Sequence, residues 1–335
     1  MHSTVGNWRI IGHQRAVRGL ARVAATESPA HAYLITGPAR IGKRTLAREL
    51  AAALNCTAAP DQRPCHACPN CKMTAKEAHP DLIMVERSAE KRMGVEQVRD
   101  AREQVDWRPY QGRFKIYVFV DADDISEGAS NALLKTLEEP PPQIVVVLTA
   151  AQADAVPTTV VSRCRALPLQ LTALDEVADG LQALRGASPE EAHRLATLCN
   201  GRAGWAVAAL ADPELAVQRE ADLARAIELS DGKLGTRLLL AAQACKGENF
   251  LESRALCLRT LEDMQTWWRD LLLVASGASA PLAHAARRED LERQAEKRGR
   301  AKIVRGLREI EITAGAVERN VTPRLALEAL LLRLN

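Results

Sequence analysis

Aromatic residues make up only 3% of this 335-residue chain, and that scarcity excludes a protein built on rows of exposed rings that stack against bases. An excess of one charge is also missing. The 45 Lys and Arg stand against 42 Asp and Glu, a formal net charge of +3, which argues against a solitary nucleic-acid binder working through a strong positive field. Neither part of the chain is a basic tail, since 22 basic and 18 acidic residues precede Pro168 and 23 and 24 follow it. No apolar run is long enough to span a bilayer: the charge-free stretch from Leu271 to Ala286 is short and broken by Ser, Gly, Pro and His. The opening MHSTVGNWRI has no apolar signal core, so a cytoplasmic location is expected. Internal repeats and low-complexity linkers are absent as well.

What is present is a hydrophobic fraction of 47%, ample for a folded core, and a change of pattern near Leu169. Before it, short β-rich runs at Ala32–Thr36, Asp81–Glu86, Lys115–Asp121 and Ile144–Thr149 alternate with helical patterns, which predicts a parallel sheet flanked by helices. After it, Ala- and Leu-rich segments with charges at helical spacing predict an all-helical remainder. Expected helices run 175–184, 189–198, 203–210, 214–229, 234–244, 250–276, 287–320 with interruptions, and 323–334. Pro323 sits at the start of the last, ahead of an apolar stripe.

Chemistry concentrates in the first half. Gly37-Pro38-Ala39-Arg40-Ile41-Gly42-Lys43 lies between a predicted strand and a predicted helix, the context of a phosphate-binding loop. Its glycines let the backbone wrap phosphates, the helix start offers free N–H groups, and Lys43 would pair with the outer phosphates. The following residue should be Ser or Thr for Mg²⁺, yet it is Arg44, and Thr45 comes one place late. A second departure follows the strand Ile116–Val120. Aligned through Ser126–Thr136, Val120 falls where a metal-binding Asp belongs and Asp121 where a water-activating Glu belongs. A shift by one residue restores the Asp and leaves Ala122 as the base, so either register lacks a group. The acids at 123 and 124 equally suit a plain strand cap.

Eight cysteines in a reducing compartment should be thiols, but Cys56, Cys65, Cys68 and Cys71 crowd into sixteen residues as C-x8-C-x2-C-x2-C. Four thiolates at that spacing suit tetrahedral Zn²⁺, with His66 as a variant ligand; a site closed by four protein ligands is structural. Cys164, Cys199, Cys245 and Cys257 are dispersed in apolar settings and read as small buried hydrophobes. Arg287–Arg308 holds nine Lys and Arg against four acids and reads as a solvated helix face or a partner contact.

The run Asn131–Pro141 (NALLKTLEEPP), with Ser162-Arg163-Cys164 downstream and Asn320–Glu328 (NVTPRLALE) near the end, resembles the clamp-loader group of AAA+ proteins. Arg44 and Val120 make it similar to that group's non-hydrolysing subunit type rather than the gamma/tau motor. The resemblance implies an AAA+ α/β domain over 1–168 carrying a zinc insertion at 56–71, a helical lid over 169–230 and a helical collar over 231–335. It implies that Arg163 is an arginine finger supplied in trans to a neighbouring subunit's ATP, a role suited to a permanently charged fork of donors. Gly37, Pro38, Gly42, Lys43, Arg44, Thr45, Asp121 and Thr149 would form a degenerate nucleotide site, Thr149 as the sensor of the terminal phosphate. Trp8–Ile11 would lie near the adenine, so ATP or ADP could bind without hydrolysis. A second sensor arginine, expected in the lid, is replaced by Gly204. The implied partners are gamma/tau and delta subunits, with the sliding clamp and primed DNA met through the complex. The alternatives are an active gamma/tau-like ATPase and a zinc-dependent nucleic-acid binding module.

Overall fold

A computed structural model describes residues 7–86, 108–280 and 282–334. The chain forms two units, Met1–Ala211 and Asp212–Asn335. In the first, strands β1 (Ala32–Thr36), β2 (Leu82–Val85), β3 (Lys115–Phe119), β4 (Ile144–Ala150) and β5 (Arg165–Pro168) form one parallel sheet in the order β2-β3-β4-β1-β5. Ala32 lies opposite Val146, and Tyr33 opposite Arg165.

The near-continuous apolar strands have a simple cause, because both faces of the sheet are covered. Tyr33 and Ile35 of β1 join one cluster with helix α1 (Gln14–Thr26) and helix α2 (Lys43–Asn55). Ala32 and Leu34 point the other way, into a cluster with Ala129, Leu133 and Leu137. Strand β4 divides likewise, Val145 and Val147 to one side and Val146 and Leu148 to the other. Burying each such side chain contributes about 1.5–3 kcal/mol, which is what fixes the sheet's registers.

The four strands expected from sequence are found: the first agrees residue for residue, the second and third are shorter by up to two residues at an end, and the fourth runs one residue further, to Ala150. Strand β5 was not expected. It is four residues long on the sheet edge, with Arg165, Ala166 and Pro168 exposed, so it carries neither a buried run nor an alternation to read. The helices expected at 189–198 and 234–244 agree residue for residue, and the region 287–320 resolves into Arg288–Arg298 and Arg300–Glu318 with Gly299 between them.

The first unit also contains helices Leu174–Arg185, Pro189–Leu198 and Ala203–Ala211. The helix Pro213–Asp231 contributes Ala226 and Leu229 to the core of the second unit. That core surrounds the long helix Phe250–Ala275, whose Trp267 and Trp268 are fully buried. Each indole has a partner: Trp267 Nε1 donates to Gln294 Oε1 at 3.1 Å, and Trp268 Nε1 to Ser230 Oγ at 3.1 Å. A Cβ on Gly306 would lie 2.0 Å from the Trp268 ring, so only glycine lets the helix Arg300–Glu318 pass there.

Candidate nucleotide loop and cysteine centre

The loop from Gly37 to Gly42 leaves the carboxyl end of β1 and starts α2. Gly37 (φ 148°) and Gly42 (φ 117°) occupy backbone conformations that a side chain disfavours, which is the local reason for glycine at both ends of the loop. The Gly37 N–H is shared between the carbonyls of Ala150 and Ala151, tying the loop to the end of β4. Lys43 is buried and its ammonium donates to Gly37 O at 2.6 Å and Pro38 O at 3.2 Å. Burial lowers its pKa, against the negative charges of Asp121 and Asp123.

The residues around Lys43 are engaged by the protein itself. Arg44 pairs with Glu77, and with Glu86 at 2.6 Å, so its charge is matched twice. Thr149 is buried and its hydroxyl accepts the Asp121 N–H at 3.0 Å, while the Asp123 carboxylate accepts the Ala151 N–H at 2.7 Å. Burial raises the Asp123 pKa despite that bond. The side chain of Asp124 lies outside the described residues.

Helix Ala203–Ala211 closes over the loop from above. The Trp205 N–H is shared between Arg40 O at 3.0 Å and Arg202 O at 2.9 Å, and a Cβ on Gly204 would stand 2.6 Å from Arg40 O. Glycine thus brings the helix start into backbone contact with the loop at the position where a sensor arginine was expected. Between this helix, the strap Arg9–His13 and Gly42, the remaining space measures about 60 Å³. Ligand pockets run to about 300–1,000 Å³. His13 Nε2 lies 3.2 Å from Ile41 O and burial lowers its pKa.

The four cysteines of the insertion come together: their sulfur atoms all lie within 4.8 Å of one another. A tetrahedral ion with bonds near 2.3 Å spaces its sulfurs by about 3.8 Å, so the set fits a thiophilic ion with modest closure. Backbone N–H groups already point at the sulfurs, from Cys65 to Cys56 Sγ at 3.3 Å, Cys68 to Cys65 Sγ at 3.3 Å and Cys71 to Cys68 Sγ at 3.5 Å. Such bonds stabilise thiolates. Burial works against the thiolate form at Cys56 and Cys71, whose pKa values go up; at Cys68, N–H donors outweigh burial and bring it down to about 6. His66 is no ligand here, because its Nε2 bonds Asn7 O at 2.7 Å and lies 3.4 Å from Glu49. Glu49 in turn accepts the Arg9 N–H at 3.1 Å, so the insertion anchors the strap beside the loop. Sequence reasoning missed this connection, and nothing in the spacing of His66 announces it.

Arg163 stands apart from the loop, between the short helix Thr158–Val161 and β5. It is partly exposed, donating to Glu138 Oε1 at 2.8 Å and Thr159 O at 2.8 Å.

The sheet order, the glycine-bounded loop after β1 and the acids after β3 give the first unit the layout of a P-loop α/β domain. Residues 12–173 match the family described as "DNA polymerase III, delta subunit". That stretch, a little under half of the chain, is similar to the DNA polymerase III family it matches. Similar proteins include DNA polymerase III subunit tau of Bacillus subtilis (34% identical over 156 residues, 47% of this chain and 27% of that protein). Subunit tau of Escherichia coli is 37% identical over 166 residues, 50% of this chain and 25% of that protein. The matched stretch thus spans about a quarter of these relatives' length. Among solved structures, a gamma subunit-related protein from Thermotoga maritima shares the fold, with a TM-score of 0.50 and 14% identity over 93% of this chain and 97% of that one. Among the described residues no helix is long and apolar enough to cross a membrane.

Proposed function

We propose that this chain is a non-hydrolysing, delta-prime-type subunit of a clamp loader, a stator that lends Arg163 to the ATP held by an adjacent gamma/tau subunit. The observation that carries this reading is the self-satisfied loop: Lys43 is bonded to its own loop carbonyls, Arg44 is paired with Glu77 and Glu86, and Gly204 seats a helix on the loop backbone. A site arranged this way lacks the hydroxyl for Mg²⁺ directly after Lys43 and, in either register of Val120–Ala122, one of the two acidic groups that hydrolysis uses. Arg163 suits a donor role because its exposed pairing with Glu138 is worth about 0–1 kcal/mol and exchanges readily for a phosphate. In this reading 169–230 acts as the lid, 231–335 as the collar that holds the ring, and Cys56, Cys65, Cys68 and Cys71 hold one structural Zn²⁺. The ring, with delta, would place the sliding clamp on primed DNA.

A second reading is the motor itself, favoured by the names of the relatives, which are tau and gamma subunits. Two measurements separate them. Purified chain with Mg²⁺ and ATP should show no turnover; steady turnover abolished by Lys43→Ala would establish the motor. In a complex rebuilt with gamma/tau and delta, Arg163→Ala should slow the served site by about 10³-fold or more. An unchanged clamp- and DNA-dependent rate would remove the finger from the reading.

A further inference from the structure

The second unit holds a concave basic cleft that the clamp-loader reading does not use. Its volume is about 680 Å³, and of its fifteen lining residues seven are Lys or Arg and two are acidic. The acids are already engaged. Asp231 receives both Lys297 and Arg298 at 3.0 Å, and Glu309 receives Arg333 at 3.0 Å. Arg237 is buried at the base of the cleft, donating to Leu229 O at 2.7 Å and Leu331 O at 3.1 Å. Arg298 lies over the buried Trp268 ring, 5.1 Å from its centre.

What remains is Lys302, Arg305 and Arg308, three exposed cations at successive three-residue steps along the helix Arg300–Glu318, without a carboxylate partner among the described residues. Each step rises about 4.5 Å along the helix. An ordinary solvated face alternates its charges at helical spacing. The preceding helix does so, pairing Arg288 with Glu292 and Arg293 with Asp290. Around Lys302 the residues three and four away are Arg298, Gly299, Arg305 and Gly306, none of them acidic. The basic stretch is therefore two things: a self-paired face over 288–293, and an unneutralised row at Lys302, Arg305 and Arg308 beside Lys297 and Arg298, which share Asp231. Burial, and after it the neighbouring charge of Arg298, pushes the Arg237 pKa down, against the negative charge of Asp231. Gathering like charges in a concavity costs free energy unless an anion relieves it.

We propose that this cleft is an anion site for a multiply phosphorylated ligand, gripped by Lys302, Arg305 and Arg308 above the fixed positive floor of Arg237 and Arg298. Two of the three gripping residues are Arg, whose planar fork binds phosphate oxygens in pairs. The ring of Trp268 is buried beneath Arg298, so it offers no stacking surface and the site reads phosphate rather than base. The phosphates could belong to a nucleic-acid strand or to a free polyphosphate.

The test uses full-length protein and a fluorescein-labelled oligothymidylate, followed by anisotropy at several salt concentrations, with unlabelled tripolyphosphate, a longer unlabelled oligothymidylate and polyglutamate as competitors. The triple variant Lys302→Glu, Arg305→Glu, Arg308→Glu changes only exposed residues. Its partner control, Arg287→Glu, Arg288→Glu, Arg293→Glu, changes net charge equally outside the cleft. The expected result is at least a tenfold loss of affinity in the first and under about twofold in the second. The slope of log Kd against log salt should fall by about 2 in the triple variant, for three lost phosphate contacts. Displacement by tripolyphosphate at site-saturating concentrations assigns the site to free polyphosphate; displacement only by longer oligonucleotide assigns it to a strand, and either supports a phosphate site. Equal losses in both variants, no binding by the unmodified protein to either phosphate probe, or polyglutamate competing better than both phosphate ligands would overturn the proposal. Circular dichroism of both variants keeps a folding failure from passing for a binding loss.

Discussion

Gly204→Ala puts two effects of opposite sign against each other. Alanine in a helix is ordinarily better than glycine by about 1 kcal/mol, and it narrows the unfolded ensemble by a similar margin, so propensity alone predicts a more stable protein. The structure predicts the reverse. The new methyl would stand 2.6 Å from Arg40 O and 3.2 Å from Gly42 N, both backbone atoms that no rotamer change can move. Relief requires lifting the start of helix Ala203–Ala211 from the loop, which stretches the Trp205 N–H bond to Arg40 O. Overpacking of this kind costs about 1–3 kcal/mol and a weakened hydrogen bond about 0.5–1.5 kcal/mol. Set against the gain from alanine, the net is a destabilisation of about 1–2 kcal/mol. That corresponds to a fall of about 2–8 °C in the melting temperature of a unit this size. Calorimetry of the full chain measures it, and hydrogen exchange at the Trp205 amide reports the site directly, with faster exchange expected. A melting temperature that stays level or rises, with Trp205 exchange unaltered, would refute the backbone contact between helix and loop.

Further outcomes follow from other parts of the first unit. Metal analysis should find about one zinc per chain, and stripping it with a chelator should open the insertion to trypsin after Lys72 and Lys76 while leaving the sheet protected; a metal-free protein resistant at both bonds would count against the four-cysteine centre. Asp81 is buried and accepts N–H bonds from Tyr110, Gln111 and Gly112, and although burial alone would raise its pKa, these donors hold it below the ordinary 3.8. Its stabilising contribution is therefore complete above pH 3.8 and is lost as pH falls through the depressed value. Asp81→Asn should cost about 1.5–3 kcal/mol at neutral pH by denaturant titration and lose less stability than the unmodified chain on acidification; parallel acid profiles would argue against the ionised cap.

Much of the fold was legible because its signals are local. Buried parallel strands announce themselves as apolar runs, and Ser188-Pro189 starts a helix with a capping hydroxyl and a proline in the first turn. The edge strand Arg165–Pro168 escaped because its stability comes from pairing with β1 rather than from its own composition. The cysteine spacing pointed to one centre for the same reason that the strands were readable: ligands a few residues apart can close on one ion with little help from elsewhere. By contrast, Glu27 meets Arg63 and Arg113, and Asn55 caps Arg113 and Phe114, across gaps that no periodicity spans.

By itself the sequence determined the order of elements, the glycines that the loop needs, the four thiols gathered in one insertion and the missing hydroxyl after Lys43. These are properties of residue type and short spacing. Only the tertiary structure decided what the departures do. Gly204 reads as the loss of a sensor until the helix is seen resting on Arg40, and Arg44 reads as an intruder until Glu77 and Glu86 are seen holding it. The basic stretch near the end divides into a paired face and a cleft with three unmatched cations only when Asp231 and Glu309 are found already taken by Lys297, Arg298 and Arg333. Charge matching and steric exclusion act through space, between residues tens or hundreds of positions apart, and a linear pattern carries no record of which partners folding brings together.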